Sequence, residues 1–132
     1  MTTSSNSNCA WTEATIARVN ARLGVQHDDD IGIEDWPAAM SDPGLIDAAI
    51  EAYDSASGAD ERALIVELLL NTFEFTSIVR DGNPDWRVTL DRIERDFSEH
   101  AATIQNWDPQ DGNPWLISDD MQSLLDRNRS RG

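Results

Sequence analysis

The segment ALIVELLL, from Ala63 to Leu70, decides the predicted fold. It lies within a helix that the apolar spacing predicts from about Asp60 to Val79, and apolar residues fall on almost every side of that helix. Such a helix belongs in the centre of a domain, since no side of it is suited to contact with water. Glu67 interrupts the segment, whose length is far below the roughly 20 residues that cross a bilayer. We therefore expect a central, buried helix.

Four further helices are predicted around this one, from apolar residues at steps of three and four. The first runs from Thr12, a natural N-cap, to Gly24, a natural C-cap, and the second follows the sequence SDPG. The fourth reaches from about Trp86 to Trp107, and the last begins at Ser118. No segment alternates with the period of two that is typical of a half-buried strand. The prediction is an all-α, single-domain bundle of about five helices, with the third helix central and buried.

Charges on the last two helices are arranged to stabilise helical structure. Three pairs at i,i+4 lie on the outer face of the fourth helix: Arg87 with Asp91, Asp91 with Arg95, and Arg92 with Asp96. In the last helix, with Ser118 as its predicted N-cap, acids occupy the first turn and Arg residues the last turn. The helix dipole favours this order.

The chain is short and strongly acidic, and both properties limit its function. Its 132 residues predict one helical domain over 11–129, with a disordered polar tail at 1–10 and a C-terminal tail at 130–132. A net charge of −15 argues against nucleic acid and anionic membrane surfaces as partners, and it favours a basic protein. Cys9 is the single cysteine and the N-terminus lacks a secretory signal, so we expect a cytoplasmic protein.

The words DGNPDW (81–86) and DGNPW (111–115) are nearly the same and begin thirty residues apart. A structural repeat would place apolar residues at matching positions after each Trp. Alignment of the two Trp residues instead sets Leu90 opposite Asp119. We interpret the first copy as a helix corner, in which Gly ends one helix, Asn caps the next and Pro takes its first position. The second copy is interpreted as part of a linker.

No arrangement of residues in the sequence predicts catalysis. An EF-hand needs oxygen ligands at fixed positions of its loop, and the acidic stretch HDDDIGIEDW fails this test. Asp96 and His100 have the one spacing that matches part of a metal motif, but a metal bundle needs a second acid–His pair on another helix. We expect His100 to be a core or boundary histidine bonded to Asp96 or to a backbone carbonyl. The sequence predicts no enzyme activity, no metal site and no cofactor.

Acidic residues are concentrated between Arg22 and Arg62, where eleven acids occur without a basic residue. Trp36 lies within this stretch, and an aromatic side chain surrounded by carboxylates is a plausible anchor for a basic partner. The predicted partner-binding residues are Asp28, Asp29, Asp30, Glu34, Asp35, Trp36, Asp47, Glu51 and Asp54.

These properties lead to one main functional hypothesis and two alternatives. The main hypothesis is a non-catalytic immunity protein or antitoxin, which neutralises a basic protein toxin, such as a nuclease, by occluding its active site. The first alternative is a general helical interaction or regulatory module, whose acidity reflects only the bias of its proteome. The second is an enzyme or metal protein that uses His100 and Asp96.

Overall fold

The computed structural model describes residues 11–25, 32, 35–76, 78–107 and 116–129. These residues form α-helices and one turn of 3₁₀ helix (Pro43–Leu45), and no β-strand occurs among them. The helices are α1 Glu13–Leu23, α2 Trp36–Ala39, α3 Ile46–Ser55, α4 Ala59–Phe75, α5 Pro84–Arg95, α6 Phe97–Asn106 and α7 Ser118–Arg129. The predicted all-α fold is therefore confirmed, while the tails at 1–10 and 130–132 lie outside the described residues.

Helix α4 carries the segment ALIVELLL and is buried along most of its length. Its buried apolar residues are Ala63, Leu64, Ile65, Val66, Leu68, Leu69, Leu70 and Phe73. Helices α1, α2, α3, α5 and α6 all pack against it. Burial of each Leu or Ile side chain stabilises the fold by roughly 1.5–3 kcal/mol, so the helix needs neighbours on several sides. Within the described ranges, no helix combines the length and hydrophobicity that a membrane span requires.

Helix α4 ends at Phe75, earlier than the predicted end at Val79. The Thr76 hydroxyl donates a hydrogen bond to the Thr72 carbonyl at 2.6 Å, and the backbone of Thr76 is extended. Thr, Val and Ile are β-branched and therefore poor helix formers. The apolar residues after Phe75 made the helix look longer in the sequence, but residues 76 and 78–80 lie outside any helix.

The first DGNP word forms the corner before α5, with Asn83 and Pro84 in their predicted roles, but the prediction that Gly82 ends the preceding helix is wrong. Gly82 has a φ of 74°, in the left-handed region that glycine tolerates best, and it turns the chain several residues after α4 has ended. The Asn83 side chain accepts a hydrogen bond from the Asp85 N–H at 2.8 Å, and Pro84 takes the first helical position. The second copy, at 111–115, lies outside the described residues.

The predicted fourth helix is divided into two, and this is one reason why the described residues contain more helices than expected. Helix α5 ends at Arg95 and α6 begins at Phe97, while Asp96 between them has a φ of −108° and a ψ of 37°. The Asp96 carboxylate accepts a hydrogen bond from the Tyr53 hydroxyl of α3 at 2.6 Å. The apolar spacing continues across this break, so periodicity alone predicts one helix. A second reason is α2, a short helix in a segment for which the sequence predicted only a loop or short turn.

The start of α7 is attached to α4 and to the end of α6. The carboxylate of Glu74, which is buried near the end of α4, accepts hydrogen bonds from the N–H groups of Leu116 at 2.9 Å and Ile117 at 3.0 Å. A negative charge at this position also interacts favourably with the dipole of α7. Ser118, the expected N-cap, is instead the first residue of α7, and its hydroxyl donates to the Trp107 carbonyl at 2.7 Å.

Candidate functional site

The predicted partner-binding residues fall into three groups in the structure. Those outside the described residues are Asp28, Asp29, Asp30 and Glu34. Those that are exposed and form no ion pair with a described Arg are Asp35, Asp47 and Glu51. The remaining two, Trp36 and Asp54, have partners within the fold.

Trp36 is a core residue, since only 1% of its surface is exposed. It opens α2, and this short helix packs against α4. The expectation of an exposed aromatic anchor at Trp36 is therefore wrong in the folded protein. The acidic neighbours of Trp36 in the sequence suggested a surface position, but the first turn of α2 directs its side chain into the apolar interior.

Asp54 is neutralised by an arginine from another helix. The Arg92 guanidinium donates to both Asp54 oxygens, at 2.7 and 3.0 Å. These hydrogen bonds lower the pKa of the Asp54 carboxyl. Asp47 and Glu51, four positions apart on the same face of α3, form no such pair. The predicted α3 surface is thus reduced to these two acids, with Asp35 as the other exposed member of the predicted set.

A carboxylate that the sequence analysis did not single out, Glu61, is fully buried between α1 and α4. Arg18 and Arg22 of α1 each donate from Nε at 2.8 Å, and the Ser57 hydroxyl donates at 2.7 Å. Burial raises the pKa of Glu61, but the hydrogen bonds from Ser57, Arg18 and Arg22 outweigh it and hold the pKa at about 2. The i,i+4 spacing of the two Arg residues on α1 was the sequence signal for this site.

Arginine residues elsewhere also pair with acids that are distant in the sequence. These pairs are Arg18 with Asp60, Arg62 with Glu99, Arg80 with Asp120, Arg92 with Asp54, and Arg127 with Glu94. The i,i+4 pairs predicted along α5 do not form; Arg95 instead contacts the adjacent Asp96 at 3.3 Å. Among the described side chains, Arg87 has no ion-pair partner.

This use of arginine leaves a set of exposed carboxylates that form no ion pair with a described Arg. They include Glu13, Asp35, Asp42, Asp47, Glu51, Asp81, Asp91 and Asp119. Most of the positive charge of the described residues is thus neutralised within the fold, while much of the negative charge faces solvent. The resulting surface potential is negative, which attracts basic groups and repels anions.

His100 belongs to a buried hydrogen-bond network that links α3 to the α5–α6 junction. Its side chain is fully buried, and Nε2 lies 2.8 Å from the Tyr53 hydroxyl, which also donates to Asp96 at 2.6 Å. The expected core position of His100 is confirmed, but its partner is Tyr53. Because the Tyr53 proton goes to Asp96, His100 donates from Nε2, and its buried Nδ1 has no hydrogen-bond partner in the structure.

The same region offers donors of the types that bind transition metals. One donor atom each from Asp96, Glu99 and His100 lies within 4.8 Å of the other two. However, Arg62 donates to both Glu99 oxygens at 2.8 Å, and Tyr53 donates to Asp96. Burial lowers the pKa of His100, which favours its neutral form. The two carboxylates are therefore already used in internal contacts, as in a network that holds helices together.

A groove of about 820 Å³ lies beside the DGNP corner, between α5 and the start of α7. Its walls are formed by Arg80, Asp81, Gly82, Asn83, Trp86, Arg87, Leu90, Asp91, Leu116, Asp119, Asp120 and Arg127. The Trp86 indole N–H donates to Asp120 at 3.0 Å, which fixes one wall. Sequence reasoning identified the corner itself, but it could not find the groove because its opposite wall comes from α7.

The described residues thus contain a buried polar network, one large groove and a negatively charged surface. These three features are the basis for inferring the function of the protein. No protein-family model, no curated protein and no solved structure matches this chain.

Proposed function

We propose that this chain is a non-catalytic, acidic binding protein that neutralises a basic protein toxin, in the manner of an immunity protein or antitoxin. The observation that supports this most is the separation of charge described above. Most described arginines are paired with acids of the fold, from the buried Glu61 to the exposed Asp54. Other exposed carboxylates, such as Asp47 and Glu51, have no ion pair with a described Arg. A basic partner could bind these carboxylates without breaking an ion pair inside the protein.

Occlusion of a nuclease active site fits this charge distribution. A nuclease binds phosphate groups with Arg and Lys, and carboxylates on a rigid helix can occupy the same positions. Asp47 and Glu51 lie four residues apart on α3, so both project from one face of the helix. Opposite charges on the two proteins would also accelerate association at low salt. We propose that α4, as the central buried helix, holds this face rigid and that the protein acts in the cytoplasm.

The alternative function is a general helical interaction or regulatory module from an acidic proteome. In that case the exposed carboxylates would only keep the protein monomeric and dispersed. The two proposals differ in what the neighbouring genes encode and in how acidic the other proteins of the same source are. A basic toxin reading frame beside this gene favours the immunity function, whereas a proteome that is uniformly acidic and poor in Lys favours the alternative.

Binding to the purified product of that neighbouring basic reading frame tests the proposal. We expect Asp47→Asn/Glu51→Gln to weaken the complex by about three- to tenfold at low salt, as expected for two exposed charges. Glu13→Gln/Asp85→Asn removes the same amount of charge outside α3 and is the matched control. Affinity that is equal in both double variants would exclude the α3 contact, and a complex that does not weaken with added salt would exclude the electrostatic mechanism.

A further inference from the structure

Large apolar side chains are exposed at one end of the protein, next to the groove. Among the described residues, these are Phe75 at the end of α4, Val79 in the link to α5, and Leu116 before α7. Val79 is 71% exposed and Leu116 is 62% exposed. The hydrogen bonds from Leu116 and Ile117 to Glu74 hold the start of α7 against the same end of α4. Single exposed apolar residues are common, but a cluster of large ones marks an interaction surface.

The groove continues this apolar surface into a concave site. Leu116 forms part of one wall, and Trp86 and the half-buried Leu90 form another. Exposed carboxylates surround these side chains: Asp81, Asp91 and Asp119 line the groove and form no ion pair. The lining of the groove is mostly polar, and its apolar atoms come from Leu116, Leu90 and the largely buried Trp86. An apolar side chain that packs on these atoms and is shielded from water by the charged rim would contribute most to the binding energy.

Two of the three arginines in the groove are neutralised by the fold. Arg80 lies 3.6 Å from Asp120, and Arg127 contacts both oxygens of Glu94 at 3.0 and 3.1 Å. Arg87 is therefore the one described cation there without an ion pair, against three unpaired carboxylates. The acidic rim favours a positively charged occupant, although Arg87 repels such an occupant locally.

We infer that this groove is the docking site for a basic segment of the protein partner, which inserts an apolar side chain between Leu116 and Trp86 and places flanking Arg or Lys residues on the acidic rim. The inference rests on the proposed function and adds a second contact site, distinct from the acidic face of α3. A second copy of this chain is a poor occupant, because two chains of net charge −15 would bring the same acidic rims together.

Two synthetic peptides of equal charge test this inference directly. The first is a short amphipathic peptide of Arg and Leu, and the second has every Leu replaced by Ser. We expect the Arg/Leu peptide to bind at least about tenfold more tightly, since each buried Leu contributes that much or more. It should also shift the indole N–H resonance of Trp86, which reports on the groove wall through its bond to Asp120.

Variants on the protein identify where the preference arises. Val79→Ser/Leu116→Ser alters exposed side chains and should reduce Arg/Leu peptide binding to the level of the Arg/Ser peptide. Arg87→Gln should tighten binding of both peptides, because it removes the unpaired cation of the rim. Asp47→Asn/Glu51→Gln, which tests the proposed α3 contact, should leave the ratio between the two peptides unchanged.

Three results would overturn the inference, and they differ from the result that would overturn the proposed function. Equal affinity for the two peptides would exclude an apolar docking site, although the acidic function could still hold with the toxin itself. A ratio unaffected by Val79→Ser/Leu116→Ser would place the site elsewhere. Sedimentation that detects a dimer, dissociated by the same variant, would show a second copy as the occupant.

Discussion

Glu61 is ionised inside the protein because its partners replace the water that it loses. The Arg18 and Arg22 guanidinium groups and the Ser57 hydroxyl all donate to this carboxylate. Breaking a buried pair from one side is destabilising, since the remaining charges lose their partner. Both arginines are partly exposed, so water recovers some of that loss. The contact therefore secures α1 on α4 with an energy between those of a surface pair and a fully buried pair.

We expect Glu61→Gln to lower the free energy of unfolding by about 2 kcal/mol. The amide keeps the shape of the side chain, but it leaves Arg18 and Arg22 without a negative partner. Glu13→Gln, at an exposed position of α1 without an ion pair, should change the stability by less than about 0.5 kcal/mol. Urea unfolding of the two variants makes the comparison, and equal losses would contradict the role of Glu61.

The lowered pKa of Glu61 also predicts how the stability of the protein changes at acid pH. Its folded-state pKa of about 2 lies below its usual value of 4.5, so the unfolded chain binds the proton more readily. The stabilising contribution is therefore complete above pH 4.5 and is lost as the pH falls towards 2. Glu61→Gln should remove this part of the pH dependence. A variant whose stability between these pH values has the wild-type slope would contradict the assignment.

His100 becomes charged when it binds a proton, whereas Glu61 becomes neutral. For both residues, however, the stability of the protein should fall as the pH decreases. Burial lowers its pKa from the usual 6.5, so the unfolded chain binds a proton where the folded chain does not. Stability should therefore fall as the pH decreases below 6.5, until the folded His100 also becomes protonated. Denaturant midpoints measured across this range should show the fall in the wild type but not in His100→Asn. His27→Asn is the control and should keep the fall. A fall that disappears in His27→Asn but persists in His100→Asn would refute the prediction.

Trp36 and Arg92 show why single residues in the candidate site were hard to place. The acids around Trp36 predicted a surface position, but burial of an indole depends on what α2 packs against, and α4 is distant in the sequence. Arg92 has an acid at i+4, yet it bonds to Asp54 on α3. Sequence spacing predicts which residues are neighbours on one helix. It does not predict a bidentate contact between two helices, because that contact depends on how the helices pack.

Helix α7 is held in place by contacts to other helices at its start. The buried Glu74 carboxylate serves the N–H groups of Leu116 and Ile117, and Met121, Leu124 and Leu125 bury its apolar side. A charged acceptor near a helix N-terminus contributes more than a neutral one, through stronger hydrogen bonds and the helix dipole.

We expect Glu74→Gln to destabilise α7 before the rest of the protein. The free energy of unfolding should fall by about 1–2 kcal/mol, since one charged acceptor with two N–H donors is replaced by a neutral acceptor. Hydrogen exchange of the amides of α7 should accelerate more than that of α4. Asp119→Asn, also near the start of α7 but exposed, serves as the control. Uniform acceleration across all helices would show that Glu74 acts on global stability alone.

Helices with one clear apolar face were predictable from the sequence, and breaks between them were not. Thr12 and Gly24 were correctly assigned as the caps of α1, since both positions have backbone requirements that few residues meet. The break at Asp96 was missed because the apolar residues of α5 and α6 keep their spacing across it. What marks that position is the hydrogen bond from Tyr53, a contact between helices that periodicity does not encode.

The charge of the whole chain was known from the sequence, but its distribution on the surface was not. A count of −15 gives the sign of the field and the class of partner that it favours. Which carboxylates are available depends on where the ten basic residues lie in the fold. Four arginines pair with acids on other helices: Arg18, Arg22, Arg62 and Arg92. The acids that i,i+4 spacing would have paired with an Arg on their own helix therefore include some that are exposed without an ion pair.

This distribution predicts how the intact protein responds to salt. Repulsion among exposed carboxylates such as Asp47, Glu51 and Asp91 acts over distances comparable to the Debye length, about 10 Å at 0.1 M salt. The ion pairs of Glu61 are buried hydrogen bonds of 2.8 Å and are screened much less. We therefore expect Tm to rise as NaCl increases from about 10 mM to about 200 mM. Asp47→Asn/Glu51→Gln/Asp91→Asn should raise Tm at low salt and flatten the increase, and a Tm that falls with salt would mean that the internal ion pairs dominate.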